Sequence, residues 1–187
     1  MIMAEGIPDI DTLLLSRAAD EAALCDALVR GYSAYLERVA LSILRDQHDA
    51  QDAVQDSLLR ALQHIKDYQP ESSLKSWLTT ITVNICRDLL RRRAARARLQ
   101  NVLSWMGKSS DTPRPLEEQN EADERHRELW NLVDGLDEKH RLPLLLRYAH
   151  GLSASEIAKV LGLNEGTVHS RLHYAIRKLQ TAISPGD

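Results

Sequence analysis

Apolar residues recur at helical spacing along most of this chain, and the interruptions in that rhythm divide it into helices. From Asp20 to Leu44 the series is Leu24, Leu28, Tyr32, Tyr35, Leu36, Val39, Leu41 and Ile43, with Gly31 placed to bend or divide the segment. A second stripe runs through Ala50, Ala53, Val54, Leu58, Ala61, Leu62 and Ile65, and either Asp46 or Asp49 can cap it. Residues 66–73 (KDYQPESS) break the pattern with Pro70 and small polar residues, which predicts a loop. A long helix is then expected from about Leu74 to Leu99, buried along Leu74, Trp77, Leu78, Ile81, Ile85 and Leu89.

The rhythm stops again at residues 107–120, which hold Pro113, Pro115 and paired serines and lack the apolar residues to bury a core. Beyond them, helices are predicted from Glu121 to Val133 and from Asp137 to a stop at His150–Gly151, with Pro143 removing one backbone donor inside the second and expected to kink it. Leu152 to Leu179 then reads LSASEIAKVLGLNEGTVHSRLHYAIRKL. Ser153 and Glu156 have capping-box spacing, Ile157, Ala158 and Leu161 face inward, and Gly162 allows a sharp turn. Leu163 plugs the corner, and Asn164 caps a final helix with Val168, Leu172, Ile176 and Leu179 on its apolar side. This is a helix-turn-helix pattern. Its outer side would carry Thr167, Ser170, Arg171, His173, Tyr174 and Arg177, donors and acceptors suited to base edges and phosphates.

Charge sharpens the division. The net charge is only −3, but residues 87–98 hold six arginines against Asp88, while residues 117–128 hold six acids against two arginines. One segment can hold phosphate and the other should avoid it. Phenylalanine is absent and aromatic residues make up 4%, so the cores rely on Leu, Ile, Val and Ala, which favours helical packing. Cys25 and Cys86 lack metal-type spacing and read as small apolar residues, in keeping with a reducing cytoplasm. Residues 1–8 show no signal-peptide pattern, and no stretch approaches the roughly 20 apolar residues of a membrane span.

Two blocks resemble the extracytoplasmic-function (ECF) sigma factors of bacterial RNA polymerase. RDQHDAQDAVQDSLLRAL and LKSWLTTITVNICRDLLRRR are similar to domain two of that family, and LDEKHRLPLLLRYAHGLSASEIAKVLGL with EGTVHSRLHYAIRKL to domain four. The likeness covers about residues 20–98 and 125–180, in the family's order. It implies an all-α chain: a flexible start (1–16), a domain-two helical bundle (17–100), a flexible linker (101–122) and a domain-four helix-turn-helix (123–183). A helix-turn-helix alone is shared by many regulators; the two blocks together are specific.

The resemblance also implies roles. An acidic helix face (Asp49, Asp52, Gln55 and Asp56) would bind the β′ clamp of core RNA polymerase, although the helix dipole is a second reason for Asp49 and Asp52. Lys75, Asn84, Arg87, Arg91 and Arg92 would hold the displaced promoter strand at the −10 element, where a base flips into a pocket walled by residues 66–73. Asn84 has the alternatives of a plain surface residue or a helix–helix hydrogen bond, and Trp77 that of an ordinary core residue. Thr167, Ser170, Arg171, His173, Tyr174 and Arg177 would read the −35 element. Here the chain departs from the family: His169, Tyr174 and Ile176 stand where basic residues are common. The other expected partners are the polymerase β flap and an anti-sigma factor linked to the membrane, which would hold a cytoplasmic protein inactive. No sensory domain is evident, so regulation is expected from outside the chain. The resemblance implies no cofactor, metal or small-molecule substrate. A regulator that never joins polymerase would leave residues 49–98 unexplained, and no nucleophile elbow, phosphate loop or ligand cluster supports an enzyme.

Overall fold

The computed structural model describes residues 21–68, 73–105 and 121–183, and the side chains of 22–68, 73–100 and 128–183. The expected flexible start, the tip of the 66–73 loop and the linker at 107–120 lie outside the described residues. The described residues form seven α-helices and one short 3-10 turn, with no strand among them. The chain divides into two compact units, Met1–Asp88 and Leu89–Asp187.

In the first unit, α1 (Glu21–Leu44) packs along α2 (Gln47–Gln63). Gly31 neither divides nor ends α1, which continues through it. Leu28, Leu36, Val39 and Ile43 are fully or almost fully buried, whereas Leu41, expected in the same stripe, is 41% exposed. The reason is rotation. At 100° per residue, Leu41 is turned about 160° away from Val39 and about 140° from Leu36, so it cannot share their side of the helix.

The reversal between the two helices uses Arg45 in the left-handed region (φ 57°). Its N–H closes the end of α1 on the Leu41 carbonyl at 2.9 Å. Asp46 follows in an extended conformation and caps α2 by accepting from the Asp49 N–H at 2.9 Å, which settles the capping alternative in favour of Asp46. Ala50, Ala53, Val54, Leu58 and Ala61 are buried as expected, while Leu62 and Ile65 are only half-buried. A 3-10 turn at Ile65–Asp67 ends this segment.

Helix α3 (Leu74–Trp105) extends six residues past the expected Leu99. Its buried side also differs: Leu74, Leu78 and Ile85 are buried as expected, but Trp77, Ile81 and Leu89 are half-buried, and Thr79, Thr82, Val83 and Cys86 are buried instead. The threonines avoid an unpaired hydroxyl by donating to carbonyls one turn back. Thr79 reaches the Lys75 carbonyl at 2.6 Å and Thr82 the Leu78 carbonyl at 3.0 Å.

The second unit holds α4 (Glu121–Asp134), α5 (Glu138–Tyr148), α6 (Ala154–Leu161) and α7 (Glu165–Ile183). Helix α7 packs on α4, α5 and α6, and α5 also meets α6. Pro143 sits inside α5 with its ring fully buried, between Leu142 and Leu144 in an apolar run. Gly151 (φ 71°) turns the chain out of α5, and the Leu152 N–H returns to the Leu146 carbonyl at 3.0 Å. On α6, Ile157 and Ala158 are buried as expected, but Val160 is buried where Leu161 is only half-buried.

Replacing the fully buried Leu36 by Ala should cost about 2–5 kcal/mol of unfolding free energy. The same change at exposed Leu41 should stay within about 0.5 kcal/mol. Urea denaturation of the two variants checks the contrast.

Candidate nucleic-acid and polymerase interfaces

The helix-turn-helix is built by three local devices. Ser153 Oγ accepts from the Glu156 N–H at 3.2 Å, and Glu156 Oε2 accepts from the Ser153 N–H at 2.8 Å, a complete capping box. Gly162 ends α6 in the left-handed region (φ 63°), and the Leu163 N–H reaches back to the Ala158 carbonyl at 2.8 Å. Asn164 Oδ1 then accepts from the Thr167 N–H at 2.7 Å and starts α7.

Burial of one side of α7 decides what its other side shows. Val168, Leu172 and Ala175 are buried; Ala175 takes the place expected for Ile176, which is half-buried. Ser170, His173, Tyr174 and Arg177 are exposed, and Thr167 and Arg171 half-exposed. All six expected side chains therefore lie on the accessible part of one helix, but two hydroxyls already have partners. Thr167 donates to Asn164 Oδ1 at 2.6 Å, and Ser170 to the Thr167 carbonyl at 3.0 Å. Each keeps its lone pairs for a further donor.

Periodicity alone misses the setting of Tyr174. Its ring stacks on His140 of α5, with centroids 4.2 Å apart and planes 25° from parallel. The two residues lie on different helices, so no single-helix pattern could show the contact. The His140 side chain is 12% exposed, and its Nδ1 has no hydrogen-bond partner among the described residues. Burial first, then the positive charge of Lys139, Arg171 and Lys178, hold its pKa below the usual histidine value, with Asp137 opposing.

In the first unit, Asp52, Gln55 and Asp56 are exposed on α2, while Asp49 is half-buried near the cap. Leu59, 57% exposed, continues the same face one turn on. The spacing of Asp52, Gln55, Asp56 and Leu59 is visible in the sequence, but a search for polar residues passes over the leucine.

On α3, Asn84 and Arg91 are exposed and Arg87 half-exposed, and their three- and four-residue spacing puts them on one side. Arg92 is exposed beside them. Lys75 does not join them. It lies about 180° around the helix from Asn84, and its ammonium rests 4.3 Å from the centroid of the Tyr35 ring on α1. Trp77 is half-buried against Tyr68, with centroids 5.4 Å apart. Cys86 is buried and its thiol pushed up to about 12 by burial, which keeps it protonated and unreactive.

Sigma-70 region 2 matches residues 28–96, and Sigma-70, region 4 matches residues 126–179. The sigma factor SigL of Mycobacterium tuberculosis is 39% identical over 172 residues, which cover 89% of this chain and 92% of SigL. This chain belongs to the ECF family of RNA polymerase sigma factors. SigE of Mycolicibacterium smegmatis is 32% identical to this sigma factor, over 90% of the chain and 66% of SigE. Among solved structures, CnrH in complex with the cytosolic domain of CnrY is 27% identical, with a TM-score of 0.65 over 96% of this chain and 100% of the other. RpoE of Bartonella quintana, in complex with the anti-sigma factor NepR, shares the fold at 23% identity and the same TM-score of 0.65, over 84% of this chain and 95% of RpoE. The family is one of transcription initiation factors, not of enzymes. Among the described residues no helix is long and apolar enough to cross a membrane.

The lowered pKa of His140 has a sign. The unfolded chain binds this proton more readily than the folded one, so the neutral imidazole's contribution is fully present above the unfolded pKa of about 6.5 and is lost as pH falls through the lower folded value. The melting temperature of the sigma factor should therefore drop between about pH 7.5 and about pH 5.5, and H140F should remove part of that drop. Thermal denaturation across that range measures both.

Proposed function

We propose that this sigma factor divides promoter recognition between its two helical modules, residues 17–100 and 123–183, joined by the acidic, proline-containing linker at 101–122. The observation that carries the reading is the exposed polar strip of α7, opposite a buried Val168–Leu172–Ala175 side and preceded by a capping box and an asparagine cap. Such a helix enters the major groove with its first turns toward base edges. Ser170, Arg171, His173, Tyr174 and Arg177 are then the readers of the −35 element, with Thr167 contributing an acceptor.

Asn84, Arg87, Arg91 and Arg92 on α3 are the candidates to hold the displaced strand at the −10 element, arginine supplying phosphate contacts and binding energy offsetting the unstacking of a flipped base. Lys75, exposed on the other side of α3 with its ammonium over the Tyr35 ring, is the candidate at the start of that helix. Asp52, Gln55 and Asp56, with Asp49 at the edge, form the acidic strip for the β′ clamp of core polymerase, and Leu59 adds an apolar contact. The second module would reach the β flap. CnrH was solved with the cytosolic domain of CnrY and RpoE with the anti-sigma factor NepR, which supports control of this chain by an anti-sigma factor. A membrane-linked anti-sigma partner would hold it in the cytoplasm, at the inner membrane face.

Transcription by core polymerase on genomic fragments tests the reading and reveals the promoter. With the promoter in hand, Arg171→Ala should weaken holoenzyme binding by roughly 5- to 150-fold. Changing Asp52 and Asp56 together to Ala should slow association with core polymerase by about 10-fold, and more at low salt. Unaltered transcription from both variants at limiting protein would count against the assignments.

A further inference from the structure

Tyr174 stands in the middle of the α7 strip, three and four positions from Arg171, Ser170, Arg177 and Lys178. A tyrosine this open to solvent on a helix ordinarily samples several rotamers. Here its ring lies against the His140 ring at 4.2 Å, and the two differ sharply in exposure: the imidazole side chain is 12% exposed, whereas Tyr174 is 50% exposed. The more covered ring is thus a platform and the more exposed ring is what it presents.

No hydrogen bond holds the imidazole at Nδ1. That atom makes no hydrogen bond among the described residues, and the Asp137 carboxylate, at 3.8 Å, is beyond hydrogen-bond range. His140 comes from α5, whose apolar run from Leu142 to Leu146 is buried, so the platform stands on a packed element.

We propose that His140 is a positioning residue for promoter recognition: stacked under Tyr174, it fixes how that ring stands in the DNA-facing strip and so sets a base preference within the −35 element. This rests on the reading of α7 as the −35 helix. His140 itself touches no DNA; it acts through Tyr174. An aromatic ring of fixed orientation can select a thymine methyl or a particular base step by apolar contact, whereas a swinging ring contributes area without preference.

The test uses holoenzyme made with the full-length sigma factor and a duplex promoter library randomised across the −35 positions, with bound sequences read by sequencing. H140A and Y174A should flatten preference at the same one or two positions, by about 2- to 10-fold, and leave the other positions as they were. H140F, which keeps a stacking ring without the imidazole nitrogens, should retain the wild-type profile and covers the case in which H140A fails to fold. The proposal is overturned if H140A leaves the profile unchanged, if it lowers recovery evenly across all sequences, if H140F behaves as H140A does, or if Y174A alters nothing. No enrichment by the wild-type holoenzyme would overturn the reading of α7 itself, and the proposal with it.

Discussion

Burial of Val168, Leu172 and Ala175 against the neighbouring helices governs everything that the second unit shows to solvent along α7. A helix has one rotation about its axis, and hiding three apolar side chains at four- and three-residue spacing leaves no freedom in which residues face outward. Each of the larger buried side chains contributes about 1.5–3 kcal/mol, more than a typical polar contact on the surface. The outward polar strip is therefore a by-product of the core. The Gly162 turn and the Asn164 cap set where α7 starts, so its first two turns hold Thr167, Ser170 and Arg171.

The long helix α3, within which the division at Asp88–Leu89 falls, obeys the same constraint with different chemistry. Helix α3 buries threonines as well as aliphatic residues, which is tolerable because the hydroxyls of Thr79 and Thr82 return to their own helix backbone. The side opposite those threonines carries Asn84, Arg87 and Arg91. Lys75 shows how a charge in a motif can rest against a neighbouring helix, its ammonium over the Tyr35 ring, whose hydroxyl lies 3.4 Å from Thr79 Oγ1.

Much of this is legible in the residues. The helix starts, the capping box at Ser153, the turn at Gly162 and the acidic strip on α2 are local patterns, and local patterns survive folding. What escapes is set by packing between helices. Leu41 obeys the apolar count but not the rotation that packing against α2 imposes on α1. Thr79 and Thr82 look polar until their backbone partners are known. Ala175 is buried where Ile176 is only half-buried, a matter of how α7 is rotated against its neighbours and not of hydropathy. The His140–Tyr174 stack joins two helices far apart in sequence, and Tyr174 alone reads as a departure from a basic pattern.

If one side of α7 faces promoter DNA because the other is buried, photocrosslinking of holoenzyme to promoter DNA will show it. A photoreactive amino acid is placed in turn at His173 on α7 and at Asn131, an exposed position on α4. Position 173 should give adducts to bases of the upstream element, and position 131 none. Adducts from position 131 alone, or equally from both, would refute the assignment of α7 as the DNA-facing helix.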